Sequence, residues 1–234
     1  MADFPIRTAV PSPLHPARSS SRLRLLCGTS WHLMKRSTAP LVQTRLRIIS
    51  AAANLFHKQG VRATQIGEIS KAARVTRQQL YHHFRTKSDI VEEVVRAYLA
   101  EIKTGSSQLH HKLESWRDLE RTFTAHIELL EEFKMRRGCP LGIIANELTE
   151  EDEAIREDLN LVFEALKQRI ATFLRKEKSE ARLVPSADEE QLAELCVAAM
   201  QGAMLLGKVR RNSRPVAGIF DDVSMHLGRY RVRS

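Results

Sequence analysis

The sequence predicts an all-α protein in which a small N-terminal helix-turn-helix domain is joined to a larger C-terminal helical bundle. Three observations support this fold class. Long stretches mix Ala, Leu, Glu, Arg and Lys, and only 8 Phe, 3 Tyr and 2 Trp occur among 234 residues, a composition that favours helix. Apolar residues recur at helical spacing from Leu41 onward. No segment shows the strict alternation expected of a half-buried strand.

The first 40 residues, 1–40, are expected to form a disordered, basic extension. They contain five of the eight prolines and no sustained apolar periodicity. A basic arm of this kind can reach into a DNA minor groove. A misassigned start is the favoured alternative, because Met34-Lys35-Arg36 would make a natural beginning.

The positive charge of the chain is concentrated near its N-terminus. Residues 1–40 carry a net charge of +5 and residues 41–90 carry +7, whereas the remaining 144 residues carry −3. A basic head on a mildly acidic body is expected of a protein that binds nucleic-acid phosphates. The three cysteines form no CxxC pair and no run of about 18 apolar residues occurs, so we expect a cytoplasmic protein.

The first four helices are predicted from apolar spacing and from residues that begin and end helices. The first spans residues 41–60 and ends at a glycine. A short second helix begins at Thr64, and a third begins at Thr76, where Gln79 completes a capping box. A fourth begins at Thr86 and connects the head to the body.

Five further helices are predicted in the body, at about residues 116–135, 141–148, 151–178, 188–211 and 216–230. The longest of them carries apolar residues at a spacing close to 3.5, which is typical of a helix in the core of a bundle. These residues are Ile155, Leu159, Val162, Leu166, Ile170 and Phe173.

The third helix has the surface expected of a DNA-recognition helix. At 100° per residue, Gln78 and His82 lie almost opposite the apolar face of the helix, flanked by Gln79 and Tyr81. Gln can pair with adenine and His can reach a base edge, whereas Tyr usually bonds a phosphate. We therefore expect Gln78 and His82 to contact bases.

Two basic residues near this helix are further candidates for DNA contacts. Arg77 lies in the first turn, where its side chain can bend outward to either a phosphate or a guanine. Lys87 lies at the start of the fourth helix, where free amides and the helix dipole favour an anion. The sequence predicts a phosphate at Lys87.

The stretch from Thr44 to Val91 contains a distinctive set of residues: Arg45, Ile48, Ala52, Leu55, Phe56, Gly60, Thr64, Ile69, Ala73, Val75, Thr76, Leu80, Tyr81, His83, Phe84 and Lys87. With these residues the stretch closely resembles the DNA-binding domain of the tetracycline-repressor (TetR) family. Two positions depart from the family pattern: Gln78 stands where a small residue is common, and Ser88 stands where Glu is common.

The resemblance implies a homodimeric repressor that binds a palindromic double-stranded DNA operator and is released by a small-molecule effector. It adds Arg45, Thr64 and Thr76 to the candidate DNA-binding residues. The implied domains are residues 41–86 for DNA binding and 87–234 for effector binding and dimerisation. The body resembles members that carry a Gly-Cys-Pro-Leu-Gly segment, here residues 138–142, followed by Glu147.

The body supplies candidate residues for the dimer interface and for the effector pocket. Small residues at a spacing of four form two rows, Ala198-Gly202 and Ala199-Ala203-Gly207, which suit either a dimer interface or packing within the chain. The candidate pocket residues, for which ordinary core packing is the alternative, are Trp116, Phe123, His126, Ile127, Leu130, Met135, Cys139, Ile143, Phe163, Met200 and Met204.

Cys139 is a candidate sensor of oxidants or electrophiles. It precedes Pro140 at a predicted helix start, where the helix dipole and three nearby cations would lower a thiol pKa and favour the reactive thiolate. The alternative is a small residue packed at the beginning of the helix.

Rival functions have weaker support in the sequence. Cys139 with His126 suggests a nucleophile and base, but no oxyanion donor or phosphate loop accompanies them, so we expect no enzyme activity. A recombinase would need a catalytic cluster, and an architectural protein would bind mainly phosphates. The histidines show no zinc-site spacing, so no metal or other cofactor is expected.

Overall fold

The computed structural model describes residues 40–107 and 109–232, and within them nine helices account for nearly all of the regular structure. The predicted all-α fold class is confirmed. The extension predicted for residues 1–40, including Cys27, lies outside the described residues except for Pro40. The helices are α1 (Pro40–Gln59), α2 (Ile66–Ala73), α3 (Arg77–His83), α4 (Lys87–Thr104), α5 (Trp116–Glu132), α6 (Pro140–Asn146), α7 (Glu153–Ser179), α8 (Glu189–Arg210) and α9 (Arg214–Gly228).

Helices α1, α2 and α3 form a small head around one apolar cluster. The inward faces of the three helices contribute Ile48, Phe56, Ile69 and Leu80, each at most 1% exposed. Burial of such side chains stabilises by about 1.5–3 kcal/mol each. The apolar stripe predicted for the first helix therefore supplies the core of the head.

The body is a helical bundle built on the long helix α7. Helix α4 packs along α7, α7 packs along α8, and α8 packs against α9. The short helix α6 contacts both α1 and α7, so it connects the head with the bundle. The apolar repeat predicted for the long helix is confirmed, because its six members, Ile155, Leu159, Val162, Leu166, Ile170 and Phe173, are all buried.

Helix α8 shows that the two predicted rows of small residues have different surroundings. Gly207 is buried, and a Cβ atom there would lie 2.6 Å from Cγ2 of Val216, so this row serves packing within the chain. Gly202 has no atom within 4 Å of its Cβ position, and Ala198 is also exposed. The row containing Ala198 and Gly202 faces outward.

The exposed row of α8 is extended by larger apolar side chains. Leu195, Leu205 and Val209 are 40%, 55% and 70% exposed, and with Ala198 and Gly202 they form a continuous stripe, which we call the α8 stripe. By length and composition α8 could cross a membrane, yet 44% of its apolar window is buried inside the protein. Packing on α7 and α9 accounts for the buried part of this helix.

Candidate DNA interface and its connection to the body

The turn between α2 and α3 is built by local hydrogen bonds. Arg74 ends α2 in the left-handed conformation, with φ of 55°, and Val75 leads into α3. Thr76 begins α3, because its hydroxyl oxygen accepts from the Gln79 amide at 3.1 Å and the Gln79 side-chain oxygen accepts from the Thr76 amide at 2.9 Å. The capping box predicted at Thr76 is confirmed.

The outward face of α3 carries the polar side chains that the helical spacing predicts. Gln78, Tyr81 and His82 are exposed, with Tyr81 at 51%, whereas Leu80 and Phe84 are buried beneath them. Thr76 and Gln79 are also exposed, but their side chains take part in the cap. Gln78 and His82 therefore lie on the exposed side of α3, away from its buried residues.

Thr64 has neither the helix-capping position nor the exposed side chain that the sequence predicts. Its side chain is 1% exposed, and its hydroxyl donates to the Gly60 carbonyl oxygen at 2.6 Å. The residue that caps α2 is Gln65, which shares a capping box with Glu68. The prediction that Thr64 begins the second helix is wrong, and its buried side chain is not available to DNA.

The basic side chains near α3 have partners within the protein. Arg45 forms an ion pair with Glu93 at 2.7 Å and lies over the Phe84 ring, 5.2 Å from its centre. The Lys87 ammonium group donates to the carbonyl oxygens of Val61 and Thr64, at 2.9 and 3.3 Å. Lys87 therefore ties α4 to the α1–α2 turn, which differs from its expected role at a phosphate.

Arg77 is exposed in the first turn of α3, beside Gly67 of α2. A Cβ atom on Gly67 would lie 2.9 Å from Nη2 of Arg77, so only glycine lets the guanidinium lie this close to α2. Because Arg77 forms no ion pair with the described residues, it remains suited to a DNA phosphate or a guanine.

The head is joined to the body by a set of contacts around α6 that the sequence did not predict, here called the junction. The Glu147 carboxylate accepts from the Arg62 backbone amide at 2.7 Å. Gly60 has φ of +87°, and a Cβ atom there would lie 2.1 Å from Oε1 of Glu147. The Arg137 side chain donates to Asn54 of α1 at 2.9 Å. Glycine at position 60 thus permits both the turn and the approach of Glu147.

His57 completes the junction from the side of α1. Its Nε2 donates to the Gly138 carbonyl oxygen at 2.8 Å, and its ring lies edge-on to Phe133. Burial lowers the pKa of His57 to about 4, with the nearby Arg137 and Lys208 charges acting in the same direction. The imidazole is therefore neutral at pH 7, which suits a ring buried between the head and the body.

Comparisons with known proteins agree with this arrangement of a helix-turn-helix head on a helical body. Residues 48–94 match the family described as "Bacterial regulatory proteins, tetR family". Residues 116–221 match "Transcriptional regulator LmrA/YxaF-like, C-terminal domain". The chain belongs to the TetR family of transcriptional regulators.

Relatives of this TetR-family chain extend over its head and its body. It is 25% identical to the HTH-type transcriptional repressor DhaR of Mycobacterium sp. (strain GP1), over 74% of this chain and 86% of the relative. It is 42% identical to the HTH-type transcriptional regulator AcrR of Shigella flexneri, over 34% of this chain and 36% of that protein. The crystal structure of regulatory protein TetR from Rhodobacter sphaeroides has a TM-score of 0.67 and 25% identity, covering 80% of this chain and 97% of the other.

The predicted pocket residues of this TetR-family body are mostly members of its core. Trp116 donates to the Glu177 carboxylate at 2.7 Å, and Phe123 stacks on Phe220 at 4.7 Å between ring centres. His126 is buried and donates from Nδ1 to the Thr122 carbonyl oxygen at 2.7 Å. Leu130, Met135 and Met204 are buried, and Ile127, Ile143 and Phe163 are partly buried.

A narrow cavity does lie in the body, between α5, α7 and α8. Of the predicted pocket residues only Met200 lines it. Its other walls are mainly apolar, with Thr122, Arg169 and Gln201 as the polar members. Sequence reasoning missed Arg169, because a single arginine on a long charged helix looks like a solvated residue.

Cys139 does not have the lowered thiol pKa that was expected. Burial raises the pKa of this thiol, and the hydrogen bonds from Gly142 and Gln201 only partly offset that effect. Its Sγ accepts from the Gly142 amide at 3.4 Å, so Cys139 begins α6 as a cap. The expectation of an activated thiolate is wrong, since desolvation outweighs the helix dipole here.

Proposed function

We propose that this TetR-type regulator is a homodimeric repressor that binds a palindromic operator and is released by a small-molecule effector. The observation that carries the proposal is the exposed polar face of α3, held on a head whose own core is complete. An exposed polar helix face of this kind suits a groove of double-stranded DNA.

Within this proposal the residues of the head have separate tasks. Gln78 and His82 read base edges in the major groove, and Tyr81 bonds a phosphate from the flank of the helix. Arg77 contacts a phosphate or a guanine. The other candidates support this surface through contacts within the chain. Thr76 and Gln79 cap α3, while Arg45 and Lys87 hold α1 and α4 in place.

The proposed dimer forms through the α8 stripe. Its side chains are apolar and exposed, and a second copy would bury them by the same surface, as a two-fold interface requires. Two heads related in this way read half-sites about 34 Å apart, or a multiple of that spacing. The proposed domains are residues 41–86 for DNA binding and 87–234 for dimerisation and effector binding, in a cytoplasmic protein.

The proposal is tested by selecting bound sequences from a random DNA pool with the purified protein at moderate salt. We expect enrichment of a two-fold palindrome, since salt suppresses binding that depends on phosphates alone. Absence of enrichment, with binding that falls steeply with salt on all sequences, would favour a nonspecific architectural protein instead. Cutting or joining of the selected DNA would indicate a DNA-processing enzyme.

The dimer is tested separately by comparing two substitutions of equally exposed leucines. Leu205 lies in the α8 stripe and is 55% exposed, and Leu161 lies on α7 and is 52% exposed. In sedimentation equilibrium, Leu205→Glu is expected to give monomers and Leu161→Glu to leave the dimer intact. If Leu205→Glu also remains dimeric, the α8 stripe is not the interface.

A further inference from the structure

Gly67 is a glycine within helix α2 that the backbone does not require. It is the second residue of the helix and is half-buried. Among the described residues, the glycines with positive φ are Gly60 and Gly105, so the backbone at Gly67 would accept any residue except proline without strain. Glycine is nevertheless among the least favourable residues in a helix. Its presence at this position needs a reason outside its own backbone.

The space that a side chain at position 67 would fill is occupied by Arg77, the first residue of α3. A Cβ atom on Gly67 would lie 2.9 Å from Nη2 of Arg77, and 3.7 Å from both Cζ and Nε. The three nearest atoms from elsewhere in the chain thus all belong to one guanidinium group. Because this group is the far end of a flexible side chain, an alanine at position 67 would displace it and leave the two helices in place. Gly67 therefore determines where the Arg77 guanidinium lies.

The charge of Arg77 is available to a ligand. Its side chain is exposed, and among residues 40–107 and 109–232 no carboxylate forms an ion pair with it. Arg45, by contrast, is paired with Glu93 at 2.7 Å. An exposed guanidinium without an acidic partner suits an oxygen anion, which it can bind through two parallel hydrogen bonds.

The position of this guanidinium favours a phosphate over a guanine. In a helix-turn-helix the second helix enters the major groove, and the first helix crosses the sugar-phosphate backbone. Gln78 and His82 lie on the exposed side of α3, whereas the guanidinium of Arg77 lies against α2. A cation held against the first helix is therefore placed beside the DNA backbone.

We propose that Gly67 is a positioning residue for DNA binding, which seats the Arg77 guanidinium against α2, where Arg77 contacts a backbone phosphate and no base. The inference rests on the proposed function, because it assigns one contact of the same DNA interface. A phosphate carries no sequence information directly, so Arg77 contributes affinity on every sequence. Selectivity is then left to Gln78 and His82.

The test uses the full chain and two duplexes of equal length, in fluorescence anisotropy titrations over a range of salt concentrations. One duplex is the palindrome selected from the random pool, and the other has an unrelated sequence. Arg77→Met is expected to weaken binding to both duplexes by the same factor, about 5- to 10-fold near 0.1 M salt. It should also reduce the slope of log affinity against log salt by about 1.

The conservative variant distinguishes a phosphate from a guanine. Arg77→Lys is expected to keep the salt slope, because a phosphate contact depends mainly on the charge, whereas a guanine contact depends on the planar fork of arginine. A loss by Arg77→Met that is confined to one base position of the palindrome, with no change in slope, would show that Arg77 reads a guanine. That result would overturn the proposal.

The variant Gly67→Ala tests the positioning step. It is expected to weaken binding to both duplexes about 3-fold or more and to reduce the salt slope, while its melting temperature stays the same or rises, since alanine favours helix. In the Arg77→Met background the same change should alter affinity by less than about 1.5-fold, because no guanidinium remains to be displaced. Unchanged affinity of Gly67→Ala, or equal losses with and without Arg77, would overturn the proposal.

A matched control and the unrelated duplex keep the result unambiguous. Gly218 lies within helix α9 with no atom within 4 Å of its Cβ position, so Gly218→Ala should leave DNA binding unchanged. If the random pool yields no palindrome, sequence-specific repression fails, and the salt slopes of the Arg77 and Gly67 variants on the unrelated duplex still decide this inference. If a palindrome is selected and Arg77→Met leaves the slope unchanged, only this inference fails.

Discussion

The outward face of α3 and the junction differ in how their polar groups are used. On α3, Gln78 and His82 are exposed, and the ring contact of His82 is with its sequence neighbour His83. At the junction, Glu147 and His57 are bonded to backbone atoms of another part of the chain, at 2.7 and 2.8 Å. The outward face of α3 is available to a partner, whereas the Glu147 and His57 side chains of the junction are hydrogen-bonded within the chain.

This difference separates a surface that is available to a partner from contacts that hold the head against the body. The exposed side chains Gln78 and His82 can be changed with little expected loss of stability, as the proposed role in DNA recognition requires. Each contact at the junction links α1, or the turn that follows it, to the segment that begins or ends α6, so a change there is expected to weaken the attachment of the head to the body. Substitutions at the junction should therefore lower stability more than they change DNA selectivity. Substitutions of Gln78 or His82 should change DNA selectivity more than stability.

The largest loss of stability is expected from Gly60→Ala. An alanine at φ of +87° costs about 1–2 kcal/mol for the left-handed backbone. Its Cβ atom also displaces the Glu147 carboxylate from the Arg62 amide, which costs about 1.5–3 kcal/mol for a charged hydrogen bond. We expect a total of about 3 kcal/mol in urea unfolding.

A double-mutant cycle with Glu147→Ala separates these two contributions. In the Glu147→Ala background the steric conflict is absent, so Gly60→Ala should cost only the backbone strain, about 1–2 kcal/mol. If Gly60→Ala costs the same in both backgrounds, Glu147 does not hold the turn.

Acid is expected to weaken the junction through His57. The pKa of this ring is about 4 in the folded chain, against an ordinary value of 6.5. Between these values the unfolded state binds more protons, so stability is complete above about pH 6.5 and falls as the pH decreases toward 4. At pH 5 the loss from this one residue is about 2 kcal/mol relative to pH 7.

The substitution His57→Gln keeps a donor for the Gly138 carbonyl oxygen and removes the titration. Its unfolding free energy should therefore change less between pH 7 and pH 5 than that of the original chain, by about 2 kcal/mol. His126→Gln should act similarly, since burial also lowers the pKa of His126 to about 4. Identical pH profiles for His57→Gln and the original chain would show that His57 is not buried as described.

The contrast between α3 and the junction also explains which parts of the structure could be predicted from the sequence. The start of helix α3 and its outward residues were predicted, because its cap, its apolar face and its outward residues all lie within a few positions of one another. The junction was not predicted, since Arg62 and Glu147 are 85 residues apart and no local pattern indicates their contact. The same reason hid the position of Arg169 in the body and the internal partners of Lys87.

Lys87→Met is expected to have a smaller effect than the changes above. The ammonium group donates to two carbonyl oxygens of the α1–α2 turn from a half-buried position. Methionine keeps the apolar stem and loses both bonds, so we expect a loss of about 1–2 kcal/mol in unfolding free energy. The control Lys71→Met, at an exposed site on α2, should leave stability unchanged.

DNA binding distinguishes the two roles considered for Lys87. If Lys87 contacted a phosphate and did not hold the turn, Lys87→Met would leave thermal stability unchanged. It would then reduce the slope of log affinity against log salt by about 1. That result would indicate that Lys87 contacts DNA, as the sequence predicts.

The smallest effects on stability are expected on α3, where Gln78→Ala and His82→Ala should change the unfolding free energy by less than about 0.5 kcal/mol. Both side chains are exposed, and alanine is a better helix former than either. Operator binding should nevertheless weaken by about 1–3 kcal/mol, with selectivity relaxed at one base position for each substitution. The measurement is titration of the selected palindrome and of single-base variants, with Lys71→Ala, at an exposed site on α2, as a control for substitution elsewhere on the head. A uniform loss on all sequences would mean that α3 contacts only the DNA backbone, and the contrast between a reading surface and a structural junction would then fail at α3.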